Sequence, residues 1–99
     1  MNKTIRLLDI VNETVSNSEG LKLFNIIDSY FKQDYVVYLS LIDCNPVSTS
    51  FFNSSFGKLI DEYGISYVKS KLKLTDYKMT EALRIKSYFE RYNKLLQSV

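Results

Sequence analysis

Tyr35-Val36-Val37-Tyr38-Leu39-Ser40-Leu41 is an almost unbroken run of β-branched, aromatic and aliphatic residues. That composition and length predict a strand covered on both faces, the central strand of a parallel sheet. Upstream, Ser16-Asn17-Ser18-Glu19 has the spacing of a capping box, with Ser16 as N-cap and Glu19 three positions on. Leu21, Leu23, Phe24, Ile27, Tyr30 and Phe31 follow at helical spacing, so the pattern predicts a helix from about 17 to 32. Gly20 in its first turn is poor for helix propensity, and a close approach to neighbouring backbone would explain it. Further upstream, Thr4–Ile10 is partly alternating and predicts a first strand.

Downstream, Asp43-Cys44-Asn45-Pro46 reads as a turn, and Pro46 forces Asn45 out of helical geometry. Ser48 or Thr49 then caps a second helix with the stripe Phe52, Phe56, Leu59, Ile60 and Tyr63, closed by Gly64 as a left-handed C-cap. Ile65–Leu74 alternates and predicts a third, half-exposed strand. Thr75 or Asp76 caps a last helix whose seam is Ala82, Ile85, Tyr88, Phe89, Tyr92, Leu95 and Leu96. The predicted fold is a small α/β sandwich of order β-α-β-α-β-α, one domain over 1–99. Right-handed crossovers make its sheet mostly parallel, and mixed if a short strand near Val11–Val15 joins the first.

Composition bounds the function. The 99 residues are 45% hydrophobic, enough for a core without staples. The one cysteine, Cys44, cannot form an intrachain disulfide and suits a reducing compartment. No apolar run approaches the ~20 residues that span a bilayer, and Met1–Asp9 has no signal-peptide core, so the expected location is the cytoplasm. Histidine is absent, which removes the commonest general base and metal ligand. With one Cys and no His, the usual structural zinc site is unavailable. The three glycines, Gly20, Gly57 and Gly64, are isolated, so there is no phosphate-binding glycine loop. The chain is therefore read as a non-enzyme with no cofactor. The net charge of +2 hides an asymmetry: residues 1–68 have five basic against eight acidic side chains, and 69–99 have eight against three. The basic C-terminal third is either a solvated helix face with a lysine-guarded strand edge or a surface for an acidic partner.

One unit carries functional content: the strand at Val36–Leu41, the loop to Pro46, the hydroxyl cluster in Val47-Ser48-Thr49-Ser50-Phe51, and a helix containing Phe56-Gly57-Lys58-Leu59. Together with Ser16-Asn17-Ser18-Glu19-Gly20, it resembles the STAS-like domains of unknown function over about residues 4–90. These are bacterial and archaeal relatives of the STAS domain of anti-sigma-factor antagonists. The resemblance implies a protein-interaction and signalling role. In the antagonists an Asp-Ser-Ser-Gly turn precedes the corresponding helix, and its first serine is phosphorylated by a partner of the histidine-kinase ATPase fold. Here Ser48, Thr49, Ser50 and Phe51 occupy those four positions. A hydroxyl is kept, as Thr49, while the Asp and the Gly are replaced.

The candidate modification sites are thus Thr49, Ser50 and Ser48, and the candidate partner contacts are Phe51, Asn53, Ser54 and Lys58. Phe51 falls off the apolar stripe led by Phe52, which would make it an exposed anchor unless it packs under a loop. Plain N-capping also accounts for the hydroxyls. Two other classes stay open. Tyr77, Tyr88 and Tyr92 interleave with Lys78, Arg84, Lys86 and Arg91 as on nucleic-acid surfaces, and a cleft at the strand C-termini would suit a small-molecule or nucleotide sensor.

Overall fold

The central apolar run forms a strand, and the chain builds outward from it on both sides. The structure, a computed structural model, describes residues 1–97, and the side chains of residues 1–92. In chain order the elements are β1 (Asn2–Arg6), α1 (Leu7–Ile10), α2 (Asn17–Lys32), β2 (Val36–Ser40), α3 (Thr49–Phe52), a π-helical turn (Asn53–Gly57), α4 (Lys58–Tyr63), α5 (Ile65–Lys71), β3 (Leu72–Thr75) and α6 (Met79–Gln97). The three strands pair in parallel in the order β1-β2-β3, so the fold is α/β with β2 in the middle, as the sequence predicts. None of the described helices is long and apolar enough to cross a membrane.

Only one face of the sheet is fully covered, contrary to the two-sided burial expected of β2. Val37 and Leu39 are fully buried, whereas Val36 and Tyr38 are half-buried. The register sets Ile5 and Leu74 beside Leu39, and Leu72 beside Val37. These residues share a face, since side chains alternate along a strand. The core on that face joins Leu23, Ile27 and Phe31 of α2 to Phe52, Phe56, Leu59, Ile60, Val68 and Ile85. The opposite row, Thr4, Tyr38 and Lys73, faces outward.

The first strand stops at Arg6, four residues short of the expected end. Leu7 and Val11 are buried and Ile10 is half-buried, which is i, i+3, i+4 spacing, and a short helix satisfies it better than a strand. The segment near Val11–Val15 is not a strand. It crosses the loop after β2 and bonds to it. Helix α2 matches its prediction, with Ser16 Oγ accepting from the Glu19 amide at 3.4 Å. The reciprocal half of the capping box is missing. Glu13 takes the Ser16 amide at 2.9 Å, and the Glu19 carboxylate accepts instead from the Asn12 amide at 2.7 Å and pairs with Lys22. Gly20 sits where α2 touches the second helix: a Cβ there would lie 2.6 Å from the Phe51 carbonyl oxygen.

The second helix runs over the expected span but is interrupted by the π-helical turn. The wider turn shifts the phase of the apolar stripe, so Phe51 and Ser55 are buried along with Phe52 and Phe56. Ser55 Oγ donates to the Phe51 carbonyl at 2.7 Å inside this turn, a back-bond that helps a hydroxyl bend a helix. The expected third strand is mostly helix. Residues Ile65–Lys71 form α5, and only Leu72–Thr75 pair with β2. Burial of Val68 and stacking of Tyr63 on Tyr67, which also meets Phe31 edge-on, reward helical spacing there. Gly64, at φ +85, turns the chain between α4 and α5 rather than ending helix in favour of strand. The last helix begins at Met79, later than caps at Thr75 or Asp76 would place it. Thr75 belongs to β3, and the Asp76 carboxylate accepts from Ser40 Oγ at 2.6 Å. In its seam Ile85 is buried and Tyr88, Phe89 and Tyr92 are half-buried. The expected Leu95 and Leu96 lie outside the described side chains.

Candidate functional site

The hydroxyl cluster follows the C-terminal end of β2 and is held from two sides. Loop residue Val47 is fully buried. Its amide donates to Glu81 Oε1 at 2.9 Å, and its carbonyl accepts from Tyr88 OH at 3.2 Å, so α6 grips it through both backbone groups. Glu81 is nearly buried, and the amide it accepts satisfies an otherwise costly carboxylate. From the other side comes the segment before α2. Thr14 Oγ1 meets the carbonyls of Asn45 and Pro46, the Ser48 amide donates to the Thr14 carbonyl at 3.0 Å, and Ser48 Oγ donates to the Val15 carbonyl at 2.6 Å.

Ser48 is the N-cap of α3: its Oγ accepts from the Phe51 amide at 3.0 Å. Its hydroxyl proton and its acceptor capacity toward the helix are therefore both in use, and the side chain is half-buried. Thr49 and Ser50, the first two residues of the helix, are exposed. A fixed turn with a committed cap thus presents two reachable hydroxyls, which separates three residues that look alike in sequence.

The expected partner contacts divide in the same way. Asn53 and Lys58 are exposed, and the Lys58 ammonium stands 4.7 Å from the Phe24 ring centroid. Ser54 is half-buried, and its hydroxyl donates to the carbonyls of Ser50 and Phe51 at the contact with Gly20. Phe51 is completely buried, which corrects the expectation of an exposed anchor. The phase shift at the π-helical turn carries it inward. Sequence reasoning missed Thr14, Glu81 and Tyr88, which immobilise the turn. They lie some thirty or more residues from it in the chain, and no local pattern marks them.

Electrostatics near the site are quiet. Burial, and then the neighbouring Glu81 carboxylate, push the Cys44 thiol up to about 11. It stays neutral near pH 7, with Sγ directed at the Asn45 carbonyl. Glu13, accepting the Ser16 and Val15 amides, is held below the usual carboxylate range, and so is Glu19, first by Lys22 and then by the Asn12 amide. Among the described residues no cluster of three or more Cys, Asp or Glu side chains is placed to hold a metal ion.

A family model described as the STAS-like domain of unknown function (DUF4325) matches residues 19–79, from the first turn of α2 to the start of α6. The matched span contains the whole Val47–Phe51 turn and both helices that meet at Gly20. Searches of curated proteins and of solved structures returned no match.

Proposed function

The chain belongs to the STAS-like domain family of unknown function, and from that premise we propose that it is a non-catalytic protein-interaction module of the cytoplasm that signals through the Thr49–Ser50 turn. The observation that carries this reading is the contrast within the turn: Ser48 is committed to the fold while Thr49 and Ser50 are exposed. The partner we infer is an ATPase of the histidine-kinase fold, with Asn53 and Lys58 flanking the contact and Thr49 or Ser50 as the phosphoryl acceptor.

The physical logic of such a switch is local. A phosphate adds about −1.5 to −2 charge. At the first turn of a helix that charge meets unsatisfied N–H groups and the positive end of the dipole, so the domain itself tolerates it. A partner surface built for neutral hydroxyls does not, and the complex is lost with little change in the domain.

The test mixes the purified domain with a purified ATPase of the histidine-kinase fold, and ATP. Intact-mass and peptide analysis should find one phosphoryl group on Thr49 or Ser50, and Thr49→Glu should abolish complex formation in gel filtration without altering the melting temperature. A complex indifferent to Thr49→Glu and Ser50→Glu, with no phosphoryl transfer to either residue, would rule the reading out.

A further inference from the structure

The basic C-terminal third has a defined place in the fold. β3 is an outer strand of the sheet, and beside it lies a groove of about 350 Å³. Leu72 and Leu74 of β3, Val68 of α5, and Ile85 and Phe89 of α6 make its apolar lining. The charged residues that line it are Lys69, Lys86 and Glu90, two cations to one anion. Lys73 is exposed on the other face of the same strand, between the two leucines. The ion pairs among the described residues are Lys22–Glu19, Lys32–Asp28 and Lys71–Asp34, so Lys69, Lys73 and Lys86 take part in none of them, although the Lys73 ammonium donates one hydrogen bond to the Lys69 carbonyl at 3.1 Å. Glu90, one helical turn from Lys86, is the one carboxylate in the lining; Asp76 and Glu81, which lie outside it, are engaged by Ser40 and by the Val47 amide. Tyr77, which also lines the groove, and Met79 and Leu83 in the first turns of α6 are exposed apolar side chains.

We propose that this groove and the outer edge of β3 receive an extended segment of a partner protein in which apolar and acidic side chains alternate, bound as a fourth strand. The reasoning is geometric. A strand added to an edge gains main-chain hydrogen bonds, and its side chains point alternately to the two faces of the sheet. On one face the added residues meet the apolar groove bordered by Lys69 and Lys86. On the other they stand beside Lys73. Apolar residues satisfy the first and carboxylates the second. The same lysines exclude other occupants: a second copy of this edge would set Lys73 and Lys69 against their own kind, a device that protects natural edge strands from pairing with themselves. A nucleic acid strand would find cations but no use for the leucine and phenylalanine lining. This surface shares no residue with the Thr49–Ser50 turn, so it stands or fails independently of the function proposed above.

The test pans the intact domain against a phage-displayed library of short segments, then measures the enriched sequence as a synthetic labelled peptide by fluorescence anisotropy. Enrichment of apolar–acidic alternation is expected. Lys73→Glu with Lys86→Glu should weaken the peptide by at least about tenfold while leaving the melting temperature near that of the parent. Amide exchange at Leu72–Thr75 should slow when the peptide is bound. Enrichment of nothing, of basic segments, or of apolar residues at helical spacing would overturn the proposal. So would affinity indifferent to the charge reversal, protection confined to another element, dimerisation through this edge, or displacement of the peptide by a single-stranded oligonucleotide.

Discussion

Gly20→Ala sets two opposing effects against each other at the contact that fixes the site. In an isolated helix the substitution gains roughly 0.5–1 kcal/mol, because alanine loses less backbone entropy than glycine. Here the new methyl would lie 1.9 Å from Ser54 Oγ and 2.6 Å from the Phe51 carbonyl oxygen. The serine can rotate, although it gives up its bonds to the Ser50 and Phe51 carbonyls. The carbonyl cannot move alone, because it is backbone that also accepts from Ser55. One helix must therefore retreat by roughly 0.8 Å to restore ordinary contact, an overpacking strain of about 1–3 kcal/mol. Set against the propensity gain, that strain leaves a net loss of up to about 2.5 kcal/mol, centred near 1 kcal/mol, which lowers the melting temperature of a domain this size by roughly 4–8 °C per kcal/mol. Urea denaturation of the parent, Gly20→Ala, Ser54→Ala and the double variant resolves the parts. Ser54→Ala should relieve the hydroxyl clash and recover only part of the loss. A Gly20→Ala protein as stable as the parent or more so would refute the close approach.

Other expectations follow from the same geometry. Ser48→Ala removes the cap of α3 and the bond to Val15, and should cost about 1 kcal/mol in urea denaturation. Thr49→Ala and Ser50→Ala should each stay within about 0.5 kcal/mol of the parent; a large loss from either would mean that its hydroxyl is structural. Cys44, raised from 9.0 to about 11, should react with a disulfide reagent more slowly than a free thiol near neutral pH, by roughly tenfold or more, the loss of thiolate outweighing its greater nucleophilicity, and a fast reaction would show that the thiol is not held by burial and Glu81. Glu13, Glu19, Asp28 and Asp34 all titrate below their ordinary values in the folded chain, Asp28 chiefly through the Tyr63 hydroxyl and Asp34 through Lys71. The unfolded state then binds more protons as acid is added, so their stabilisation is present above the ordinary values of 4.5 and 3.8 and is lost as pH falls through the lower folded values. Urea midpoints should hold steady down to about pH 5 and fall below it, with a smaller fall in Glu19→Gln.

The elements whose signals are local were legible in the chain alone. The apolar run at Tyr35–Leu41 specified the central strand, the hydroxyl at Ser16 and the helical spacing after it specified α2, and a parallel α/β order followed from their alternation. The Ser48–Ser50 cluster could be marked as a helix start for the same reason, since capping is a bond between near neighbours. What no local pattern decided was phase and exposure. Apolar spacing at Ile65–Leu74 served helix and strand alike, and packing of Tyr67 and Val68 against the core chose the helix. Off the apolar stripe, Phe51 fits either a surface anchor or a residue packed inside, and the π-helical turn rotates it inward. Ser48, Thr49 and Ser50 are equivalent as text, and they become one structural cap and two reachable hydroxyls because the Thr14 and Val15 carbonyls arrive at Ser48 from over thirty residues away. Composition and periodicity report what each segment prefers, whereas exposure depends on which distant atoms the folded chain brings to the same place.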